Sequence, residues 1–493
     1  MTQGNKNVGW VSDSVTQQNR SPITDQEANV LGYAAINQST QDIPMEWIQT
    51  SIGRALDYGK VEKAEPNQIQ NDVWVLELED IEKDSSKVIQ KLMFSDRQSK
   101  STKNRFKKGD VLYGKLRPYL NKVVIADSDG VCSTEIVPIS GNGFLYNRYL
   151  FYWLKHPDFL AYVTQVGYGV NMPRLGTKEG IAAPFILAPI AEQNQIADKL
   201  DELLAQVDSI KTRLDTIPKI LKRFRQSVLA AAISGKLTED FRGNVQLHKA
   251  KIENISVLVT KGASPNWQGI NYVDDPNQTL FVTSENVGGM KILLDNPKYV
   301  EDEFNEKQQR SLLMKGDVLT NIVGASIGRA VVWDKNIKAN INQAVCIIRL
   351  DKNKCIADYL CYFLNSPIGI DALIANKVDV ARANVSLGSV KSLELFLPDL
   401  SEQTEIIRRV EQLFTYADQI EQRVKDAQAR VNQLTQSILA KAFRGELTAE
   451  WREQNPDLIS EENSAESLLK RIQLERTAEN TKSKTTLKVK KVE

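Results

Sequence analysis

The sequence predicts an α+β protein in which two mixed α/β domains are joined by two long antiparallel coiled-coil helices, with a pseudo-two-fold internal repeat. The first observation behind this prediction is a duplicated helix ending. Residues 226–242 read QSVLAAAISGKLTEDFR and residues 436–452 read QSILAKAFRGELTAEWR, 210 residues apart and without a gap. The longer stretches 192–242 and 402–452 share 16 identities in 51 aligned positions. A match of that length indicates an internal duplication.

The second observation is a seven-residue apolar period in both copies. The steps between apolar residues alternate four and three, which is typical of the a/d seam of a left-handed coiled coil. Each seam of 33 residues predicts a rod of about 50 Å. Pro218 should bend the first helix without ending it, and Gly235 and Gly445 should cap the two helices. The seams are Ile196, Leu200, Leu203, Val207, Ile210, Leu214, Ile217, Leu221, Phe224 and Val228, and Ile406, Val410, Leu413, Ala417, Ile420, Val424, Ala427, Val431, Leu434 and Ile438.

The third observation is that the segments between the helices differ from them. Short apolar runs bounded by turn residues, such as VWVLELED, GDVLYGKL, TLFVTSENVGG and AVCIIRL, predict strands of mixed α/β domains. KGDVL occurs at both 108–112 and 315–319. Two seams of equal length predict helices that pair with each other, and the intervening chain favours antiparallel pairing. Two separate helices packed in a core are the alternative.

These patterns divide the chain into six segments. The two domains are predicted at 43–190 and 246–398, and the helical spacers that follow them at 191–245 and 399–455. Residues 1–42 are rich in Gln, Asn, Ser and Thr and predict an N-terminal extension. Residues 456–493 predict a short amphipathic helix, at 465–479, followed by a disordered basic tail.

Composition excludes several classes of protein. The chain has 493 residues, 42% hydrophobic and 25% charged, with a net charge of +1. No apolar run reaches 18 residues, so we expect no transmembrane helix, and the N-terminus does not resemble a secretory signal. Four cysteines without C-x-x-C spacing predict reduced, mostly buried thiols in a cytoplasmic protein.

Motifs for catalysis are missing from the sequence. The two histidines, His156 and His248, have no Cys, Asp or Glu cluster at metal-ligand spacing, so we expect no zinc and interpret both as surface or half-buried residues. GASIGRA at 324–330 lacks the Lys and Ser/Thr of a phosphate-binding loop. There is no Asn/Asp-Pro-Pro-Tyr/Phe string of amino-methyltransferases and no G-x-S-x-G string. The sequence therefore predicts a chain that performs no chemistry and holds no cofactor.

Binding to nucleic acid has better support. Residues 97–122 carry nine Lys/Arg and one acid, a charge of +8, with three aromatic residues among them, and 307–349 carry seven Lys/Arg and two acids. Such segments contact phosphates and can read guanine edges through Arg, although a solvated loop with excess charge remains the alternative for both. The predicted DNA-binding residues are Lys103, Arg105, Lys107, Lys108, Lys115, Arg117 and Tyr119, and Asn321, Ser326, Arg329, Lys338 and Asn342.

The order of domain, helix, domain, helix resembles the specificity subunit of type I restriction–modification enzymes. Each helix is entered through a proline followed by Glu-Gln (PIAEQ and PDLSEQ) and left through Gly-Lys/Glu-Leu-Thr. KGDVLYGKLRPYLNK at 108–122 with GVCSTEIV at 130–137 is similar to one subtype of target-recognition domain in that family. TKGASP at 260–265 with KGDVLTNIVGASIGRA at 315–330 is similar to another. The resemblance spans roughly residues 43–470.

The resemblance implies a function without catalysis in this chain. Each target-recognition domain would read one half of a split site in double-stranded DNA. The helices would set the spacing and dock two methyltransferase subunits, and two motor–nuclease subunits would join for cleavage. S-adenosylmethionine and ATP with magnesium would act in those partners. The alternatives are a coiled-coil scaffold that binds only proteins, and a nuclease or methylase with an unrecognised active site.

Overall fold

The computed structural model of the chain describes residues 43–169, 171–244, 246, 248–375 and 384–489. The expected extension 1–42 and the last four residues of the expected tail lie outside this part. The described residues form two compact units. One lies within Met1–Lys211 and Ala429–Glu493, and the other is Thr212–Gln428. Each unit holds one mixed α/β domain together with one part of each long helix.

The first half of the chain contains ten strands and six helices, as described. The strands are β1 Ile48–Ser51, β2 Lys63–Ala64, β3 Trp74–Leu76, β4 Leu92–Met93, β5 Lys103–Phe106, β6 Val111–Gly114, β7 Val123–Ile125, β8 Gly130–Cys132, β9 Ile136–Ile139 and β10 Pro184–Leu187. The helices are α1 Ile52–Ala55, α2 Phe94–Arg97, α3 Asn147–Trp153, α4 Pro157–Val166, α5 Thr177–Ala182 and α6 Ile190–Ile233.

The second half of the described chain repeats this order. Its strands are β11 His248–Lys251, β12 Ser256–Lys261, β13 Tyr272–Val273, β14 Thr279–Val282, β15 Tyr299–Val300, β16 Val318–Asn321, β17 Ala330–Val332, β18 Ala339–Ile341, β19 Val345–Leu350 and β20 Glu394–Leu397. Its helices are α7 Glu239–Arg242, α8 Ile252–Ile255, α9 Glu303–Lys307, α10 Ala357–Asn365, α11 Pro367–Ala375, α12 Leu387–Ser392, α13 Leu400–Phe443, α14 Ala449–Gln454 and α15 Ala465–Val489.

The sheets of the two domains differ in strand number but share a three-stranded core, β7-β6-β9 and β17-β16-β19. The first has sheets of order β2-β5-β8-β3-β4 and β7-β6-β9, and the second has β12-β19-β16-β17 and β13-β15-β14-β18. In each domain the first strand pairs with the last, β1 with β10 and β11 with β20. Leu112 of β6 pairs with Val124 and Pro138, and Leu319 of β16 lies likewise between its two neighbours. The KGDVL strings therefore form equivalent strands, and the prediction of two repeated mixed α/β domains is confirmed.

The two long helices begin and end as the sequence predicted. α6 and α13 are 44 residues each, and α6 continues through Pro218. Gly235 and Gly445, which follow them, have φ of 75° and 77°, the left-handed cap conformation. Most predicted seam residues are buried or half-buried, and Ile210 and Leu434 are exposed. In the second unit α13 contacts α6 through hydrogen bonds from Arg225 to Asp418 (2.6 Å) and from Gln428 to Asp215 (2.8 Å).

Both long helices contribute to the domain cores. In the first unit Phe443, at the end of α13, lies 5.0 Å from the Trp153 ring and 5.0 Å from the Tyr149 ring, measured between centroids. In the second unit Leu229 of α6 belongs to the same buried cluster as Phe363 of α10. An aromatic pair of this kind contributes about 0.5–1.5 kcal/mol beyond the burial of its area. In each unit, the helices and the domain therefore share one core.

A buried carboxylate joins the start of α6 to the segment beyond α13 in the first unit. Glu192 is fully buried and accepts three hydrogen bonds. The donors are Trp47 Nε1 at 2.6 Å, Thr448 Oγ1 at 2.6 Å and Arg452 Nη1 at 2.5 Å. Arg452 also donates to the Gly445 carbonyl at 3.0 Å. The Glu of PIAEQ and the Thr and Arg of GELTAEWR are thus partners.

The second unit contains the equivalent contact. Glu402 accepts hydrogen bonds from Thr238 Oγ1 at 2.7 Å and from Arg242 Nη1 at 3.3 Å. Arg242 donates in turn to the Gly235 carbonyl at 2.9 Å. We call these two contacts the helix clasps. A charge this deeply buried is stable only when it is paired and hydrogen-bonded, which explains why both motifs occur twice.

Two local expectations were wrong. His156 is buried, not at the surface: it caps α4 by accepting from the Asp158 amide at 3.2 Å and stacks on Trp153. Burial lowers the pKa of His156 to about 3, so the ring is neutral at pH 7. The C-terminal helix is also longer than expected, because α15 continues to Val489. Its first turns pack Leu468 and Ile472 into the core, and Arg476 pairs with Asp57 at 2.6 Å.

The long helices are polar on their outer faces. None of the described helices combines the length and the apolar composition that a membrane span needs.

All four cysteines are free and buried, as predicted. Burial raises the pKa of Cys346 and of Cys355 to about 12, so these thiols stay protonated.

We predict that Glu192→Ala destabilises the first unit, because the substitution leaves the Arg452 guanidinium without its carboxylate partner. The free energy of unfolding should fall by about 3 kcal/mol, measured by urea denaturation. Glu402→Ala should do the same in the second unit. Glu202→Ala is the control: this residue of α6 has a 58% exposed side chain paired with Lys199, and its loss should change stability by less than about 0.5 kcal/mol. Equal effects of Glu192→Ala and Glu202→Ala would contradict the role of the clasp.

Candidate nucleic-acid interface

The basic segment 97–122 crosses the first domain and does not lie on one face. It forms β5, a turn at 107–110, β6 and a loop at 115–122. β6 is buried over its whole length. Lys107 and Lys108 precede β6, while Lys115, Arg117 and Tyr119 follow it, so about 13 Å of extended strand separates the two groups. The predicted DNA-binding residues of this domain therefore fall into two groups.

The group before β6 is held mostly by contacts inside the domain. Lys103 is buried, and its ammonium donates to Glu77 Oε1 at 2.7 Å and to Ser101 Oγ at 3.0 Å. Arg105 is half-buried, and its Nε lies 3.2 Å from Glu62 Oε1. Lys107 and Lys108 are exposed. In the free protein Lys103 thus supports the fold, whereas Lys107 and Lys108 are available to a ligand.

A cleft of about 840 Å³ opens beside this first group. Its lining mixes both signs of charge, and Lys91 lies 4.3 Å over the ring of Trp74 at its wall. Burial, together with the nearby Asp129, raises the pKa of Asp110 in the same lining. The lining lysines are offset by four acidic residues, Asp57, Glu62, Asp72 and Asp129. The cleft is therefore not a uniformly positive surface of the kind that attracts phosphates.

The group after β6 lies on a surface formed by three segments, which we call the β6 edge: 115–121, 133–135 and the described residues of 168–175. Backbone hydrogen bonds tie them together, from Lys115 to Glu135 (2.9 Å), from Leu175 to Lys115 (2.9 Å) and from Arg117 to Pro173 (2.7 Å). Arg174 pairs with Glu135 at 2.9 Å. The edge therefore presents a fixed backbone and not a free loop.

Several large side chains are exposed at the β6 edge. Tyr119 is 50% exposed, Tyr168 56% and Met172 51%, and Arg117 is exposed between them. Sequence reasoning found Arg117 and Tyr119 but missed the segment GYGVNMPR at 167–174. Its signal was weak: the segment carries one basic residue and no repeat, and its pairing with Leu116, after β6, depends on contacts far apart in sequence.

Two residues of the β6 edge have a left-handed backbone. Arg117 and Asn121, with φ of 52° and 49°, flank the 3-10 turn Pro118–Leu120. This conformation costs a residue with a side chain about 1–2 kcal/mol. In the second domain the equivalent turn, Gly324–Ser326, begins at Gly324 and is followed by Gly328, and these two glycines have φ of 80° and 87°. The two domains thus share a loop shape but not its side chains.

The second domain gathers most of its predicted residues at the end of β16. Asn321 is buried, and its amide donates to the Ser284 carbonyl at 2.9 Å and to Ser326 Oγ at 3.1 Å. Arg329 is exposed, and its backbone carbonyl accepts a hydrogen bond from the backbone N–H of Asn321 at 2.9 Å. Asn342 begins the neighbouring loop, in which the Ala344 carbonyl accepts from the Ile322 amide at 2.9 Å. We call residues 321–329 and 342–344 the β16 edge.

Lys338 lies apart from the β16 edge, at the other end of β18, and pairs with Asp302. Polar atoms without a partner among the described residues are buried under both edges: Tyr113 Oη and Asn121 Oδ1 in the first domain, and Thr320 Oγ1 and Asn321 Oδ1 in the second. Such atoms are rare inside folded proteins, and most buried polar groups have a partner. Within the described residues, no group of three His, Cys, Asp or Glu side chains is placed to hold a metal ion.

We predict that Lys103→Ala destabilises the first domain, because Glu77 loses its buried partner. The free energy of unfolding should fall by about 1–3 kcal/mol, measured by urea denaturation. Lys108→Ala is the matched control in the same segment: this exposed side chain makes no ion pair within the described residues, and its removal should change stability by less than about 0.5 kcal/mol. Wild-type stability in the Lys103 variant would show that its ion pair does not support the fold.

Comparison with known proteins identifies the family. A family profile described as "Type I restriction modification DNA specificity domain" matches residues 48–219 and 270–428. The chain is 41% identical over 349 residues to the EcoBI specificity subunit of Escherichia coli, covering 68% of this chain and 73% of that one. It is 39% identical over 341 residues to the StySPI specificity subunit of Salmonella potsdam, covering 68% and 72%.

Solved structures show the same fold. The HsdS subunit of Thermoanaerobacter tengcongensis aligns with a TM-score of 0.55 at 19% identity, covering 83% of this chain and all of that one. A chain from a structural study of complex assembly and conformational transition of the type I restriction–modification system aligns with a TM-score of 0.61 at 17% identity, covering 82% and 99%. With a profile match over more than half of its length and relatives near 40% identity, this chain belongs to the family of specificity subunits of type I restriction–modification enzymes.

Proposed function

We propose that this specificity subunit reads a split site in double-stranded DNA, one half with each domain. The domains are those of residues 43–190 and 246–398, and their reading surfaces are the β6 edge and the β16 edge. The observation that carries the proposal is the equivalence of these edges. They share a strand, a turn and two left-handed positions, yet expose different side chains. Two readers on one scaffold can recognise an asymmetric site.

The spacing of the two half-sites is assigned to α6 and α13. We infer that they pair as an antiparallel coiled coil, because Arg225 bonds to Asp418 while Asp215 bonds to Gln428, so residue numbers fall along one helix as they rise along the other. The apolar period and the burial of most seam residues support this pairing. Each helix is about 66 Å long at 1.5 Å per residue. A rod of this kind would set the distance between the two half-sites.

The helices also provide two docking surfaces for methyltransferase subunits. The duplication extends beyond the seam to Gln226 and Ser227, and to Gln436 and Ser437, which lie on equivalent faces of α6 and α13. Two identical partners can therefore bind equivalent sites. Motor–nuclease subunits would join for cleavage. Catalysis, S-adenosylmethionine and ATP with magnesium are assigned to those partners, and the complex to the cytoplasm.

A protein-only scaffold and an unrecognised catalytic chain are the competing functions. Incubation of the purified chain with DNA, magnesium and S-adenosylmethionine tests the second: cleavage or methylation without partners would contradict a specificity subunit. The exposed Lys107, Lys108 and Arg117 favour DNA over a purely protein partner, because they are free to contact phosphates.

We predict that the full-length chain binds duplex DNA with a strong salt dependence. The logarithm of the affinity should fall linearly with the logarithm of salt concentration, with a slope of about −0.9 for each phosphate contact, measured by fluorescence anisotropy. Lys115→Ala should reduce this slope by about one unit. Lys199→Ala, on the outer face of α6, is the control and should leave the slope unchanged. A scaffold that binds only proteins would show no salt-dependent retention of DNA.

We predict that shortening both helices by one heptad narrows the unread gap in the DNA site. Deletion of 210–216 together with 427–433, around the Asp215–Gln428 hydrogen bond, keeps the seam in phase and shortens the rod by about 10 Å. The gap should lose about three base pairs at 3.4 Å each, while both half-sites stay the same. Mapping of methylated adenines in host DNA measures this. An active variant with an unchanged gap would rule out the helices as the ruler.

A further inference from the structure

The loops after β6 and β16 share a backbone conformation but carry different side chains. Both are bridged to the segment before the last small helix of their domain, at Leu116–Arg174 in the first domain and at Val323–Asn384 in the second. Both contain a 3-10 turn and two left-handed residues four positions apart, Arg117 and Asn121 in the first domain and Gly324 and Gly328 in the second. The first of these is Arg117 in one domain and Gly324 in the other. A glycine suits this backbone at either position, so the arginine is not required by the fold.

Arg117 occupies the exposed tip of this fixed loop. Its amide donates to the Pro173 carbonyl at 2.7 Å, and Pro118 follows it, so the backbone on both sides is constrained. Its guanidinium makes no ion pair with any residue that the structure describes, unlike Arg174, which pairs with Glu135. A free guanidinium on a rigid and strained backbone is positioned for a ligand that is not part of the chain.

The neighbours of Arg117 match a base edge better than a phosphate. Tyr168 pairs through its backbone with Arg174, which is bridged to Leu116, and the exposed Met172 precedes Pro173. These exposed side chains belong to the segment that pairs with the backbone of Leu116 and Arg117, and they offer apolar contact area of the kind that thymine methyl groups and base edges require. Bidentate bonding from an arginine to O6 and N7 of guanine is the commonest specific contact in the major groove.

We propose that Arg117 is a specificity-determining residue that reads one guanine in the half-site of the first domain, with Tyr168 and Met172 against the neighbouring bases. This inference rests on the proposed function, namely that the domain reads DNA. In the second domain Gly324 offers no side chain at the equivalent point, so its half-site is read by other residues of the β16 edge, such as the exposed Arg329. The two half-sites differ for this reason.

The test compares Arg117→Gly and Arg117→Lys in the full chain, expressed with its methyltransferase partners in the host, by mapping methylated adenines. In both variants one guanine position of one half-site should accept other bases, with discrimination reduced roughly 5- to 150-fold, the range of one bidentate pair. The second half-site and the gap should not change. Arg117→Gly should melt at the same or a higher temperature than the wild type, because glycine adopts positive φ without strain.

Asn142→Gly is the matched control. It relieves the same kind of backbone strain in the first domain, at a φ of 49°, but Asn142 lies outside the β6 edge, so the methylation pattern should stay that of the wild type. A wild-type pattern in both Arg117 variants would overturn the inference. A change in Arg117→Gly that Arg117→Lys does not share would overturn it too, because it would indicate a phosphate contact. If the wild-type chain directs no split methylated site, the proposed function itself fails, independently of Arg117.

Discussion

The buried carboxylates of the helix clasps are the constraint on which the architecture depends. Glu192 and Glu402 begin the two long helices, and each is neutralised by a Thr and an Arg that follow the end of the other helix. Neither motif is satisfied alone, since a buried carboxylate without its arginine is strongly unfavourable. The internal duplication therefore supplies each buried carboxylate with its hydrogen-bond donors. Two glutamates at helix starts and two Thr-Arg pairs beyond helix ends form two complete contacts. A chain with a single copy would leave its glutamate and its Thr-Arg pair without these partners.

The clasps fix the helices, and the helices in turn fix the domains, because Phe443 and Leu229 belong to the domain cores. Variation is thereby confined to positions that the scaffold does not use. The loop after β6 illustrates the separation. Its shape is set by backbone hydrogen bonds, whereas its exposed tip differs between the domains. A scaffold held by main-chain contacts can present new side chains without loss of shape.

The sequence alone predicted features that depend on local or periodic signals. The heptad pattern located both long helices, Gly235 and Gly445 marked their ends, and alternating apolar runs located strands such as β6 and β16. It did not reveal that Lys103 is buried, because its partner Glu77 lies 26 residues away. The pairing of Arg174 with Leu116, after β6, likewise depends on contacts across the domain. Charge counts identify basic segments, but only tertiary packing decides which lysines face water.

The discontinuous first unit implies an order of folding during synthesis. The second unit, Thr212–Gln428, is continuous in sequence and can close as soon as it emerges from the ribosome. The first unit needs residues of α13, α14 and α15, including Phe443, Arg452 and Leu468, before its core and its clasp are complete. At 5–20 residues per second those residues follow Lys211 by roughly 10–50 s. During that interval the nascent first domain exposes apolar surface and an unpaired Glu192, which makes it the part of the chain that chaperones would hold.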